Sequence, residues 1–297
     1  SHSMIVQQTF NSQNGKFSYL EWGGCGPILH IAHATGFCAG LYTPLANILT
    51  SRLKVVGMDY RGHGNSKAVA NHKKLTNWDV FSDDLGVFFD YLQEPVIAVG
   101  HSLGAVTSMM LAANRPELFK ALILIDPTIM PQYINLVLYL AQKLYLTKIF
   151  PIISGAAKRT RLWPDSDTVL DIYSKKLPFR NWSPGFLEAY IQYGFEDIVT
   201  GGTKLRCEPE WESKCFSTCP AGIWKKPRLL TMPVLVIYGA KSDVFTNRCA
   251  RKFRLEVPHS EIHCIPKATH FVPMEKPLET AKLIFDFLMR NQIIDPQ

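Results

Sequence analysis

The sequence has no apolar run that is both long and free of charge. Its most apolar stretch, residues 134–153, carries Lys143 and Lys148 and reaches Pro151. A membrane-crossing helix needs about 20 uninterrupted apolar residues, so this stretch reads as a buried or substrate-facing helix and no stable membrane insertion is expected. No basic, then apolar, then small-residue pattern of a secretory signal follows Met4, and the preceding Ser1–Ser3 reads as an expression-tag remnant. Charged residues are scarce, 19% against 47% hydrophobic in 297 residues, a balance that speaks against disorder and for one large globular unit, with or without an insertion.

Acidic residues are the scarcer sign, 25 against 32 basic, for a net charge of +7. The basic residues are scattered in groups such as Lys225, Lys226 and Arg228, with no nucleic-acid-binding motif beside them. They read as solvated surface, with at most a weak pull on anionic substrates or lipid surfaces. Seven cysteines, an odd number in a large chain, favour reduced thiols and a cytoplasmic setting. Cys207, Cys215 and Cys219 lack zinc spacing, and "HSEIHC" (259–264) offers two histidines without a third ligand. No metal and no organic cofactor is expected.

What is present is alternation. Apolar strands are expected at 4–10, 16–22, 27–33, 53–59, 95–100, 120–126, 232–239 and 260–265. Helices are expected at 42–51, at 76–92 with Thr76 as N-cap, and at 102–116, 245–256 and 277–290. Continuous apolar strands separated by helices imply a mostly parallel eight-stranded sheet covered on both faces. The alternation stops between 131 and 228. That segment reads as a mainly helical cap inserted into a core of residues 4–130 and 229–293, over the strand ends where such sheets bind ligands.

The chemistry centres on Gly100-His101-Ser102-Leu103-Gly104, which follows an expected buried strand and opens an expected helix. In that context Gly-x-Ser-x-Gly is a nucleophile elbow: the serine backbone is strained, and the glycines remove side chains that would clash as flanking segments converge. A serine needs a base. His270, in the loop after the last strand, is the candidate, because His259 and His263 flank or lie in that strand. The histidine needs a carboxylate to fix its tautomer. Asp243, just past strand 232–239, is the expected partner, with Asp126 at the end of strand 120–126 as runner-up. The oxyanion donors are expected to be the N–H groups of Leu103 and of Thr35 in "HATGF" (33–37); His33 reads as a packed loop residue.

Taken in order, "HATGF", "MDYRGHGNS" (58–66), "GHSLGA", "VIYGAKSDVF" and "THFVPMEKP" make the chain resemble the α/β-hydrolase fold superfamily, in its cap-bearing, carboxylesterase- or lipase-like branch. The resemblance spans nearly all of the chain except the cap. It implies an acyl-enzyme mechanism, since relatives that form alkyl-enzymes carry aspartate at the elbow. Relatives often have His-Gly where this chain has His33-Ala34, which bears on donor geometry. The Asp59–Arg61 motif is given a loop-holding role.

The cap is rich in large apolar residues: Leu136, Leu140, Leu144, Phe150, Trp163, Phe179, Trp182, Phe186, Tyr190 and Phe195. Most are expected to pack the cap onto the sheet and a minority to line an apolar pocket. The expected function is therefore hydrolysis of small-molecule carboxylic esters with an apolar acyl or alkyl part, by a monomer or homodimer. Lactonase, thioesterase, perhydrolase or haloperoxidase, and carbon–carbon hydrolase activities share the triad. A slow-turnover ligand receptor and a scaffold with a dead site are the rivals of other classes.

Overall fold

Side chains alternate across the central sheet, and the two apolar faces this creates recruit different helices. In order along the chain come β1 (Val6–Ser12), β2 (Gly15–Gly23), β3 (Ile28–Ala32), α1 (Thr43–Leu49), β4 (Lys54–Met58), α2 (Asp79–Leu92), β5 (Val96–His101), α3 (Leu103–Asn114) and β6 (Phe119–Ile125). Then follow α4 (Gln132–Lys143), α5 (Pro151–Ala157), β7 (Leu162–Trp163), α6 (Ser166–Lys175), α7 (Phe186–Gly194), β8 (Phe195–Asp197), β9 (Thr203–Leu205) and α8 (Pro209–Ser217). The chain closes with β10 (Val234–Gly239), α9 (Asn247–Glu256), β11 (Glu261–Ile265), α10 (Val272–Glu275) and α11 (Pro277–Arg290). The structure is a computed structural model that describes residues 4–129, 132–147, 151–220 and 222–296. Ser1–Ser3, Lys148 and Phe150 lie outside the described residues.

Eight strands form one sheet in the order β1-β2-β4-β3-β5-β6-β10-β11, antiparallel at β1–β2 and β2–β4 and parallel from β4 onward. Val56, Ala98, Leu122, Leu124 and Val236 share one cluster with Phe81 and Phe88 of α2, Met109 of α3 and Phe253 of α9. Val55, Ile97, Val99, Ile123, Ile125 and Ile237 share the other with Leu45 of α1 and Ile284 and Phe287 of α11. Alternation along the inner strands β4, β3, β5, β6 and β10 thus buries the middle of the sheet on both sides, the condition for a parallel sheet to be stable, while the edge strand β1 stays largely exposed and the edge strand β11 half-buried. The expected α/β-hydrolase fold is the one observed.

Three expectations need correction. Helix α2 starts at Asp79, not Thr76, and the Asn77 carboxamide accepts the Asp79 N–H at 2.8 Å. The stretch 134–153 is not one helix but parts of α4 and α5. The segment between β6 and β10 also contains a three-stranded antiparallel sheet, β7-β9-β8, which its mixed composition did not announce. Within it Phe186, Tyr190 and Phe195 are buried as expected, but Leu136, Leu140 and Leu144 are 54%, 50% and 66% exposed. Leu136 and Leu140 lie on the outward side of α4, whose inward Leu138 is buried, and Leu144 lies in the turn just after it.

Four histidines, His30, His33, His63 and His101, are buried in the core and around the loops at the strand ends. Burial pushes His30 and His101 down to about 3 and His63 to about 4, and holds His33 well below its ordinary value. Each therefore binds fewer protons folded than unfolded once the pH drops below the free imidazole value of about 6.5. Burial pushes Asp59 up to about 6 and also raises Asp84 and Glu212, which act in the opposite sense. Four imidazoles outweigh these carboxyls between pH 6.5 and 5, since each contributes up to about 1.4 kcal/mol per pH unit. Scanning calorimetry is expected to show Tm falling by on the order of 10 °C from pH 7 to pH 5. A flat Tm over that range would mean the imidazoles are not buried neutral.

Candidate active site

Ser102 sits between β5 and α3 with φ 59° and ψ −115°, a backbone conformation that L-residues avoid. The surroundings enforce it. Ser102 N–H donates to the Ile125 carbonyl at 3.1 Å. A Cβ on Gly100 would lie 2.3 Å from the Gly104 carbonyl oxygen, and one on Gly104 would lie 2.1 Å from that of Ala32. Only glycine lets β3, β5 and α3 approach this closely. Strain of this kind costs about 1–3 kcal/mol and is kept where a side chain must be presented.

The presented hydroxyl is 2.8 Å from Nε2 of His270, and His270 Nδ1 is 2.6 Å from Oδ1 of Asp126. The structure thus brings together Ser102 and His270, but places Asp126 against the imidazole in place of Asp243. Asp126 is fully buried at the end of β6, with φ 41°. Its Oδ2 accepts the Gly239 N–H at 3.0 Å, and its Oδ1 also accepts the Ser242 hydroxyl at 2.6 Å. Ser242 in turn accepts the N–H groups of Val244 and Phe245. This turn makes the loop after β10 serve Asp126 through Ser242 and leaves the neighbouring Asp243 exposed. The Asp243 carboxylate has no hydrogen bond or ion pair among the described residues.

The loop carrying Thr35 is held group by group. Ala34 N–H donates to the Tyr42 hydroxyl at 3.1 Å, Gly36 N–H to His63 Nε2 at 3.0 Å, and Phe37 N–H to the Ala34 carbonyl at 3.2 Å. His33 is buried, with Nδ1–H on the Ala34 carbonyl and Nε2 accepting Tyr60 N–H, as a packed loop residue would be. The N–H groups of Thr35 and Leu103 have no acceptor among the described residues. Thr35 and Ser102 line the same cavity.

A chain of hydrogen bonds ties the three loops of the site. Tyr42 O–H donates to His101 Nδ1 at 2.7 Å, and His101 Nε2–H donates to the carbonyl of His270 at 2.8 Å. Sequence reasoning missed Tyr42 and His101, whose roles are visible only once the loops are in place. It also missed Thr128, whose hydroxyl oxygen is 2.8 Å from that of Ser102. Asp59 and Arg61 hold loops as expected. Asp59 accepts the N–H groups of Ala39 and Asn65, and Arg61 pairs with the buried Asp84 at 2.7 Å.

The cavity over Ser102 has a volume of about 550 Å³. Its walls are mainly apolar and include Phe37, Trp78, Leu138, Ile153, Phe179 and Phe271. Its charged lining is largely balanced: Arg159 pairs with Glu212 at 2.6 Å and donates to the hydroxyls of Tyr173 and Tyr190. Burial raises the Glu212 carboxyl above its ordinary value even with Arg159 beside it. Lys176, at the edge, lies 5.1 Å from the ring centre of Tyr173. A wider groove of about 1010 Å³, with Lys73, Lys143 and Lys214 in its lining, adjoins the cavity at Cys219 but reaches none of Ser102, Asp126 and His270. Among the described residues no cluster suits a metal ion, and no helix is long and apolar enough to cross a membrane. The seven cysteines are free thiols, five of them buried.

A family model described as serine aminopeptidase, S33, matches residues 27–193. The chain is 24% identical over 269 residues to 2-(acetamidomethylene)succinate hydrolase of Mesorhizobium japonicum, with 89% of each chain covered. It is 31% identical over 155 residues, half of each chain, to the monoglyceride lipase of Rattus norvegicus. Among solved structures, that of E-2-(acetamidomethylene)succinate hydrolase gives a TM-score of 0.80 at 21% identity, covering 96% of this chain and 99% of that one. An esterase of Mycobacterium tuberculosis gives 0.72 at 20% identity, covering 97% and 92%. At these structural identities the likeness is one of fold.

Tyr42→Phe removes one hydroxyl that serves two buried groups, the Ala34 N–H and His101 Nδ1. Each buried polar group left unpaired costs about 1–3 kcal/mol. Urea unfolding is expected to show a loss of about 2–4 kcal/mol with an unchanged m-value. A loss below about 1 kcal/mol would mean that water replaces the hydroxyl.

Proposed function

Because the chain belongs to the serine aminopeptidase S33 family, within the α/β-hydrolase superfamily, we propose that it hydrolyses small carboxylic esters with an apolar acyl or alkyl part, through Ser102, His270 and Asp126. One observation carries this reading: a hydroxyl, an imidazole and a buried carboxylate joined at 2.8 and 2.6 Å open into an apolar cavity of about 550 Å³. Residues 131–228 act as the cap over a core of residues 4–130 and 229–293. They supply Leu138, Ile153 and Phe179 to the cavity wall.

The carboxylate fixes a proton on His270 Nδ1, which leaves Nε2 free to accept the Ser102 proton. The hydroxyl oxygen attacks the ester carbonyl, and the proton passes to His270. The negative charge on the carbonyl oxygen is taken up by the N–H groups of Leu103, at the start of α3, and Thr35. These two are suited because the other N–H groups of the 34–37 loop are already engaged. The tetrahedral intermediate collapses, and the alcohol leaves with the proton from His270. Water then gives its proton to His270, attacks the acyl-Ser102 ester and releases the acid.

The pairing of Arg159 with Glu212 supports an uncharged substrate, since this guanidinium of the wall already has its counter-charge. The monoglyceride lipase and esterase similarities are consistent with ester cleavage.

Asp126→Asn is expected to lower kcat/KM for a p-nitrophenyl ester by about 10³–10⁴-fold through the wrong imidazole tautomer. Asp243→Asn is expected to stay within about twofold, because its carboxylate is exposed. A fluorophosphonate is expected to label wild type at Ser102 and not Ser102→Ala, located by mass spectrometry. The reverse ranking of the two aspartates would return the acid role to Asp243. Absence of labelling in well-folded protein would favour the receptor reading.

A further inference from the structure

We propose that Thr128 is a catalytic residue: it donates a hydrogen bond to the Ser102 oxygen and selectively speeds release of the acyl group. The proposal rests on the serine mechanism above and adds to it a group that sequence reasoning did not single out. The direction of the bond follows from proton counting. Asp126 fixes a proton on His270 Nδ1, so in the neutral imidazole Nε2 is an acceptor and must receive the one hydrogen of Ser102. The contact of 2.8 Å between the two hydroxyl oxygens then has a single consistent polarity, with Thr128 donating to Ser102.

Thr128 is not a passing neighbour. It lies two residues after Asp126, so the loop that orients the imidazole also aims this hydroxyl. That loop is fixed on both sides. Asp126 N–H donates to the Ile237 carbonyl at 2.7 Å, Ile129 N–H to the Pro127 carbonyl at 2.8 Å, and the Cys249 thiol to the Ile129 carbonyl at 3.3 Å. Thr128 also lines the cavity into which Ser102 opens, so its hydroxyl is on the substrate side of that oxygen.

The effect differs between the two half-reactions. In the free enzyme the acceptor is an alcohol oxygen, a good acceptor. During acylation that bond exists both before and at the transition state, so its net contribution there is small. In the acyl-enzyme the same oxygen is the bridging oxygen of an ester, a poor acceptor because its electrons are delocalised into the carbonyl. When water adds to that carbonyl, giving its proton to His270, delocalisation is lost. When the carbon–oxygen bond then breaks, the electron pair goes to the Ser102 oxygen, which takes the proton back from His270. The Thr128 bond strengthens through both events, and Thr128 keeps its own proton throughout.

Thr128→Val, of nearly the same shape, and Thr128→Ser, which restores the hydroxyl, are to be compared with wild type on p-nitrophenyl butyrate under steady-state and stopped-flow conditions. Thr128→Val is expected to lower kcat about tenfold or more and KM in proportion, leaving kcat/KM within about threefold. A burst of about one p-nitrophenol per active site is expected, with butyryl-Ser102 seen in the quenched protein by mass spectrometry. Thr128→Ser is expected to recover most of kcat. Unchanged kcat in Thr128→Val overturns the proposal. So does an equal fall in kcat and kcat/KM without acyl-enzyme accumulation, which marks a merely structural contact. If wild type itself neither turns over the ester nor takes a fluorophosphonate at Ser102, the triad reading falls and this proposal falls with it.

Discussion

The backbone of Ser102 is the constraint from which the site follows. At φ 59° the chain reverses from β5 into α3 in one residue. Because that reversal is tight, the carbonyl oxygens of Ala32 and Gly104 crowd the two flanking glycines. The same crowding brings the end of β3, and with it the 33–37 loop, next to Ser102. It also sets the Ile125 carbonyl under Ser102 N–H, so the end of β6 arrives at the same place. Three strand ends converge because one residue is strained, and the strain is tolerable because β3, β5 and β6, buried in the middle of the sheet, hold those ends.

Neutral imidazoles then do the work that peptide groups do inside a sheet. His63 accepts Gly36 N–H and donates to the Arg61 carbonyl; His33 accepts Tyr60 N–H and donates to the Ala34 carbonyl; His101 accepts Tyr42 O–H and donates to the His270 carbonyl. Each ring has one donor and one acceptor, and so bridges a pair of backbone or hydroxyl groups that no strand ladder reaches. This requires the rings to stay uncharged, and burial ensures it. His270 differs from these three in its partners: its Nδ1 faces the Asp126 carboxylate and its Nε2 the Ser102 hydroxyl.

The strands, the elbow and His270 were legible in the sequence because each is encoded locally. Alternating apolar runs give the sheet, and two glycines around a serine at a strand end give the elbow. The histidine sits in a loop whose position follows from strand order alone. The choice between Asp126 and Asp243 was not legible. Both lie just beyond strand ends that are adjacent in the sheet, and what separates them is a side-chain turn at Ser242 that aims one loop's hydroxyl inward and its carboxylate outward. Thr128 was hidden for the same reason, since a threonine two residues past a strand carries no pattern. The outward face of α4 was misjudged because an amphipathic stripe says that one side is buried, not that every apolar residue on the helix is.

The segment between β6 and β10 lines the cavity and also holds the 33–37 loop. Tyr190 O–H donates to the Gly36 carbonyl at 3.2 Å while its oxygen accepts from Arg159, and the Glu212 carboxylate packs directly against Gly36. Trp182 meets Phe37 at 5.7 Å and Phe271 at 5.6 Å between ring centres, the residues that flank the Thr35 loop and His270. Glu212 is buried and Arg159 half-buried, so separating the partners leaves the Glu212 carboxylate buried without its counter-charge. The cavity wall and the 33–37 loop are therefore one hydrogen-bonded unit. Any displacement of this segment must either carry the Arg159–Glu212 pair with it intact or disturb the geometry at Gly36.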